Sequence, residues 1–320
     1  MPDPADGFIR LIFAAPFIDT LEKQGIDCRP VLTDLGVQAS ALRDPEAMVH
    51  AEILYGLLND LAALADDPHL GCRIGLALDI ARSPLVSDAA RASTTLGDFL
   101  TRFVIAASQN ASTVNHVLSI ESDIATYRTN RLVRTRNAPA QAEAFGVAQF
   151  LRVLECTDNR VWDPGRVEIR TAFPEAFPRH VLGVPVRRSR EPGAVFTLPA
   201  TWLSVPLSVN LALSEPVLAA RSHDMSIIAA LRSAATPLIA HGTVETETIA
   251  AALGIKPSLL TRALKSRGTT LAREIKRLRV DIACDMLRDG KHSIAEIGQV
   301  LGYDDQSHFA RFFRSQTGHA

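Results

Sequence analysis

Two stretches near the end of the chain spell the same local structure twice. The first runs Thr248-Ile-Ala-Ala-Ala-Leu-Gly254 and leads into Ile-Lys-Pro-Ser-Leu-Leu260-Thr-Arg-Ala-Leu264-Lys265. The second runs Ser293-Ile-Ala-Glu-Ile-Gly-Gln-Val-Leu-Gly302 and leads into Tyr-Asp-Asp-Gln-Ser-His-Phe309-Ala-Arg-Phe-Phe313-Arg314. Each opens as a short amphipathic helix that ends at Leu-Gly, where glycine permits the left-handed backbone that closes a helix and turns the chain. A second helix then begins, with its apolar positions four apart: Leu260 and Leu264 in one copy, Phe309 and Phe313 in the other. Ala250 and Gly298, one turn before each glycine, are small enough for the paired helices to pack closely, so each copy reads as a helix-turn-helix unit. The expectation is an all-α domain with two such units, at about 246–266 and 293–315.

The two glycines stand 48 residues apart, and Thr270 to Asp289 fills much of the gap. There Leu271, Ile275, Leu278, Ile282 and Met286 recur at three and four, one apolar stripe along a single helix. Arg273, Lys276, Arg277, Arg279 and Arg288 take its other faces. Such a helix can hold two reading heads in a fixed relation, about 34 Å or one duplex turn apart.

A chain of 320 residues suits two domains, since single cores rarely grow past about 250 to 300 residues. Upstream the pattern is mixed. Apolar spacing predicts helices over 47–64, 95–107 and 138–155, whereas 117–127 and 166–171 alternate as strands do. The prolines at 192, 199, 206 and 216 exclude a long regular element there. The fold class is therefore α+β: a mixed helix and sheet N-terminal domain over 1–215, a linker at 216–223, and the all-α domain over 224–320, with Asp224 as the cap of its first helix. From Asp224 onward 13 Lys and Arg face 10 Asp and Glu, against 21 and 25 before it, which fits a nucleic-acid reader joined to a module of another kind.

One pattern is specific enough to name. Gly268-Thr-Thr-Leu271, Arg279, Ser293-Ile-Ala-Glu-Ile297, Leu301-Gly-Tyr303, Gln306-Ser-His-Phe309, Arg311, Phe313 and Thr317-Gly318 resemble the double helix-turn-helix of the AraC family of transcription regulators. More diffusely, Gly25-Ile-Asp27, Leu32, Gly36, Gly71-Cys-Arg-Ile-Gly75, Phe99, Pro185 and Phe196 resemble the N-terminal effector domain of the branch that includes ornithine-pathway and virulence regulators. The resemblance implies operator or promoter double-stranded DNA and RNA polymerase as partners, a small-molecule effector, and a homodimer.

Residue chemistry agrees with it in the second unit. Asp304 suits the N-cap of the second helix, and Gln306, Ser307 and Arg311 project away from the Phe309 and Phe313 face. Gln pairs with adenine and Arg with guanine in the major groove, while Arg314 suits phosphate. Ser258, Thr261, Arg262 and Lys265 form the corresponding set in the first unit, where Arg262 has an alternative role as a structural ion-pair partner. Two departures bear on the first unit: Lys256 stands where a capping Ser or Thr is usual, and Ser258 where an Arg is common. A third is at the end, where Thr317-Gly-His-Ala320 stops short of the family's usual Pro and basic tail, an expectation of weakened DNA affinity.

No Gly-x-Ser-x-Gly elbow, Gly-x-x-x-x-Gly-Lys loop or His-Glu-x-x-His site occurs, so neither an enzyme nor a cofactor or metal is expected. Cys28, Cys72, Cys156 and Cys284 are far apart and read as reduced core thiols. Glu121 and Asp123, two apart on one expected strand, read as a solvated face. No apolar run approaches the roughly 18 residues of a membrane span, and the N-terminus lacks a basic start, so a cytoplasmic protein is expected. Two roles stay open for the N-terminal domain: a sensor that closes on a small molecule, or a module that only dimerises or meets RNA polymerase. In some relatives a ligand carboxylate meets a lysine, which makes Lys23, the one lysine before Lys256, the ligand-binding candidate, with Arg10, Arg73 and Arg102 as substitutes.

Overall fold

The computed structural model describes residues 7–79, 86, 89–90, 93–108, 110–155, 162–207, 224–241, 244–303 and 305–318. It divides into two units, Met1–Glu46 with His50–Met225, and Ala47–Val49 with Ser226–Ala320. The linker expected at 216–223, and likewise Cys156 and Asp304, lie outside the described residues.

The first unit opens with β1 (Phe8–Arg10), α1 (Ala15–Lys23) and α2 (Arg29–Asp34); in chain order β2 (Met48–His50) follows, of which Met48 and Val49 are assigned to the second unit, and then α3 (Ala51–Leu64) of the first. The helix expected from 47 thus begins later. His50 is extended and caps α3, its Nδ1 accepting the Glu52 N–H at 3.2 Å, so helical backbone starts only beyond it. Next come α4 (Leu70–Ala77), α5 (Leu96–Ser108), β3 (Val114–Glu121), β4 (Ile124–Arg131) and α6 (Ala140–Glu155). β5 (Glu168–Thr171), β6 (His180–Val181), β7 (Val184–Arg188) and β8 (Val195–Pro199) complete a six-stranded sheet of order β3-β4-β8-β5-β7-β6. Within this sheet β5 and β7 pair parallel and the other neighbours antiparallel.

One expectation changes here, and one stretch adds a short strand. Residues 117–127 are not one strand but parts of a hairpin: the chain reverses at Ser122, whose φ is +56°, and Glu121 pairs with Ile124. Glu121 and Asp123 therefore do not share a strand face, although both are exposed. The proline-rich stretch also contains a strand, β8, and it is an interior one. Pro199 closes its end, while Phe196 lies in register between Tyr127 of β4 and Ile169 of β5.

α6 packs on this sheet through Phe150, whose ring lies 4.8 Å from that of Tyr127 and 4.3 Å from that of Phe196. α4 crosses α6 closely enough that two of its glycines are required. A Cβ on Gly75 would stand 2.6 Å from the Phe145 carbonyl oxygen and 2.8 Å from Ala148 Cβ, and one on Gly71 would overlap the Gln141 carbonyl. The Gln141 side chain locks the crossing, accepting the Gly71 N–H at 2.7 Å and donating to the Pro68 carbonyl at 2.8 Å.

The second unit contains α7 (Ile227–Ala235), α8 (Thr246–Leu253), α9 (Pro257–Ser266), α10 (Leu271–Asp289), α11 (Ile294–Val300) and α12 (Gln306–Thr317). Ser226, not Asp224, caps α7, its hydroxyl accepting the Ala229 N–H at 3.3 Å. On α10 the expected stripe holds: Ile275 and Leu278 are buried and Leu271, Ile282 and Met286 half-buried, while Arg273, Lys276, Arg277 and Arg288 are exposed. Buried Glu274 secures the helix start by accepting from the Thr269 hydroxyl and from Arg277.

Candidate nucleic-acid interface and internal cavity

The first turn unit is α8, Gly254 and α9. Gly254 sits at φ +70°, and Ile255 N–H closes the turn on the Ala250 carbonyl at 2.9 Å. α9 buries Leu260, Ala263 and Leu264, which turns Ser258, Thr261, Arg262 and Lys265 outward, all exposed. Its N-cap is Lys256, which makes no side-chain cap, with Pro257 opening the first turn. The Thr261 hydroxyl donates back to the Pro257 carbonyl at 3.0 Å. Arg262, for which a bracing role stood open, has no ion-pair partner among the described residues.

The second unit is α11, Gly302 and α12, and its ends are better held. Ser293 and Glu296 form a reciprocal capping box at the start of α11: the Ser293 hydroxyl accepts the Glu296 N–H at 3.3 Å, and the Glu296 carboxylate accepts the Ser293 N–H at 2.7 Å. These bonds hold the Glu296 carboxyl below the usual carboxylate range. After Gly302, at φ +76°, α12 is capped by Asp305, one residue later than expected. Its carboxylate accepts the His308 N–H at 2.8 Å, which lowers its pKa. Tyr303 in the turn is fixed on three sides, its ring 5.8 Å from Phe309, 5.3 Å from Phe312 and 5.4 Å from the Arg279 guanidinium of α10. A Cβ on Gly298 would lie 3.3 Å from Phe309 Cβ, so the close approach of α11 and α12 depends on a small residue there. With Phe309 buried, Gln306, Ser307, Arg311 and Arg314 are all exposed.

The first unit of the fold holds a cavity of about 190 Å³, walled largely by aromatic and aliphatic side chains. Most of its polar members are engaged within the protein, while the buried Nε of Arg131 has no hydrogen-bond partner. His116 Nδ1 and the Tyr127 hydroxyl are 2.6 Å apart, and the Tyr55 and Thr113 hydroxyls 3.4 Å apart. Arg131 is paired with Glu143, which also accepts from the Thr171 hydroxyl. Burial lowers the His116 pKa to about 4 and raises that of Tyr127, so both are neutral at pH 7.

The cations nominated from the sequence lie elsewhere. Lys23 is exposed on the last turn of α1, and Arg10 is fully buried against Glu46 at 3.0 Å. Arg73 pairs with Asp67 and Arg102 with Asp98. None of the four lines the cavity, whose arginine is Arg131. The His116–Tyr127 pair is set by the hairpin, which no local residue pattern marks in the sequence: with the reversal at Ser122, His116 faces Thr129 and Leu118 faces Tyr127, which makes His116 and Tyr127 diagonal neighbours on one face.

Among the described residues no helix is long and apolar enough to cross a membrane. A helix-turn-helix domain model matches residues 249–320. The MmsAB operon regulatory protein of Pseudomonas aeruginosa is 32% identical over 79 residues, which span 24% of this chain and 26% of that protein. Among solved structures, the transcriptional regulator CdpR from Pseudomonas aeruginosa is 19% identical with a TM-score of 0.38, the alignment covering 92% of this chain and 94% of that one. A DNA-binding transcriptional dual regulator from Escherichia coli K-12 is 26% identical with a TM-score of 0.25, over 28% of this chain and 84% of that one. The model described as the arabinose-binding domain of AraC transcription regulator, N-term, matches residues 25–207, more than half of the chain, and on that match the chain belongs to the AraC family of transcription regulators.

Proposed function

We propose that this chain is a sequence-specific regulator that reads double-stranded DNA through α9 and α12, under the control of a small molecule held in the cavity of its N-terminal domain. In this reading 1–215 is the effector module, 216–223 the linker and 224–320 the DNA-binding domain, working in the cytoplasm with no enzymatic step. Gln306, Ser307 and Arg311 meet base edges, Arg314 meets phosphate, and Ser258, Thr261, Arg262 and Lys265 engage a neighbouring stretch of groove. RNA polymerase and a second copy of the chain are further proposed partners.

The observation that carries the reading is that α9 buries Leu260, Ala263 and Leu264, and α12 buries Phe309 with Phe312 and Phe313 half-buried, while every one of these eight side chains is exposed. A recognition helix needs that division, because its inner face fixes the helix and its outer face reaches base edges and phosphates. The cavity favours the sensor over a module that only dimerises, since an apolar, preformed cavity with a few polar groups is the usual form of a ligand site.

The test is binding of the full chain to a genomic fragment library at fixed salt, beside a Gln306→Ala/Arg311→Ala double variant. A few discrete sites, lost in the variant, support the reading. Uniform weak binding by both proteins would overturn it.

A further inference from the structure

The cavity of the first unit is a box of rings. Phe99, Phe103, His116, Tyr127, Phe150 and Phe196 all line it. Phe103 stands edge-on to His116 with centroids 5.8 Å apart, and Tyr127 stacks on Phe150 at 4.8 Å. Rings in such offset and edge-on arrangements present both π faces and positive edges to a further planar ring.

Charge on the wall is already matched. Arg131 and Glu143 neutralise each other, and Glu143 also accepts from the Thr171 hydroxyl, which ties the end of β5 to α6. A ligand carboxylate would have to displace Glu143 from Arg131 or be buried beside it, and either costs affinity. The half-buried His116 imidazole, desolvated in the wall, stays neutral at pH 7, so it offers a carboxylate no compensating charge. A sugar fares no better. It carries a hydroxyl on nearly every carbon, whereas the hydroxyls of Tyr55, Thr113 and Thr129 are engaged within the protein, and unpaired buried hydroxyls weaken binding. One polar pair, His116 with Tyr127, lies inside the aromatic wall. It occupies Nδ1 of the imidazole and leaves Nε2 to donate or accept according to tautomer.

Size narrows the choice further. An engineered apolar cavity of about 150 Å³ holds benzene, so the cavity here, about 190 Å³, has room for one ring and a small substituent.

We propose that this cavity binds an uncharged, single-ring aromatic compound carrying one hydroxyl or carbonyl group, the ring against Phe103 and Phe150 and the polar group at the His116–Tyr127 pair. The proposal rests on the reading of the N-terminal unit as the effector module. It selects against the sugar that the description of the matching family domain would suggest.

The experiment titrates p-cresol, toluene, 4-methylbenzoate and L-arabinose into the full chain by calorimetry at pH 7, with two variants alongside. Gly146 borders the cavity on α6, is itself exposed, and has no heavy atom within 4 Å of a Cβ built there, so Gly146→Leu sets an apolar side chain at the cavity's edge with room for its first carbon. His116→Phe keeps the ring and removes its nitrogens. The expected result is saturable p-cresol binding, with 4-methylbenzoate and arabinose at least about tenfold weaker, and loss of p-cresol binding in Gly146→Leu while its melting temperature does not fall. His116→Phe should weaken p-cresol by about tenfold and leave toluene within about twofold.

Tighter binding of 4-methylbenzoate or arabinose than of p-cresol overturns the ligand class and leaves the effector module standing. Binding of none of the four overturns the ligand class too. Binding of p-cresol as expected, with unchanged affinity for DNA fragments at every p-cresol concentration, upholds the ligand class and sinks the effector reading.

Discussion

Two glycine-to-alanine changes at one helix pair should shift stability in opposite directions. Gly75 lies where α4 crosses α6, and the added methyl would stand 2.6 Å from the Phe145 carbonyl oxygen and 2.8 Å from Ala148 Cβ. Carbon atoms are at their optimum about 3.5 to 4.0 Å apart, so the helices must separate by close to an ångström, and both neighbours are parts of a packed helix with nowhere to go. Overpacking of this kind costs about 1 to 3 kcal/mol, here toward the upper end because the nearest obstacle is backbone. Replacing glycine by alanine in a helix returns about 1 kcal/mol, which leaves a net loss of about 2 kcal/mol for Gly75→Ala. Gly146 sits on the partner helix with open space at its Cβ position, so Gly146→Ala keeps only the gain of about 0.5 to 1 kcal/mol. The chain's two tryptophans, Trp162 and Trp202, both belong to the first unit, so urea unfolding followed by tryptophan fluorescence reports on that unit alone. Gly75→Ala should lower the midpoint and Gly146→Ala raise it. A Gly75→Ala protein as stable as the parent would refute the close crossing, and so would equal destabilisation by both changes.

Three further outcomes follow from the same geometry. Arg311→Ala should weaken specific DNA binding by about 1 to 3 kcal/mol and barely alter nonspecific binding; equal losses in a competition assay would make Arg311 a phosphate contact. Lys256→Ser supplies the missing N-cap of α9 at an extended residue and should stabilise the second unit by about 0.5 to 1 kcal/mol, read as a higher melting temperature by circular dichroism of the full chain. His116, whose pKa falls to about 4 on burial, makes the first unit acid-sensitive: between pH 6.5 and 4 the unfolded chain takes a proton that the folded one refuses. Stability is therefore complete above pH 6.5 and declines as pH falls toward 4, by on the order of 3 kcal/mol in all. His116→Phe should flatten that slope in the tryptophan-detected unfolding, and an unchanged slope would remove His116 as its cause.

What could be read in advance follows the range of the interactions involved. The turn units were legible because their determinants are local: a glycine at φ +70° or +76°, a small residue one turn earlier, and apolar positions four apart. Helix caps in this half of the chain are less sharply written: α12 is capped by Asp305, one residue after Asp304, and α7 by Ser226, two after Asp224, since element ends are set by the backbone within a residue or two. The sheet was harder. β8 escaped notice because its flanking prolines mark breaks, and only its place between β4 and β5 makes a five-residue strand worth forming. The hairpin at Ser122 was missed because alternation continues on both sides of the reversal, with no Asn-Gly or Asp-Gly to announce it.

The cavity was the least legible feature, and the reason is physical. A candidate cation can be chosen from the sequence by scarcity, as Lys23 was, but whether it is available is decided by what folds against it. Arg10, Arg73 and Arg102 each find a carboxylate within 3.0 Å or less, so none is left to attract an anion into the interior. Arg131 reaches the cavity but arrives with Glu143, because β4 and α6 bring the two side chains together. A pocket assembled from four strands and helices thus has its charge cancelled by the same long-range contacts that create it. Its selectivity then falls to ring shape and to one neutral imidazole, which turns on the β3–β4 register, not on any residue that composition singles out.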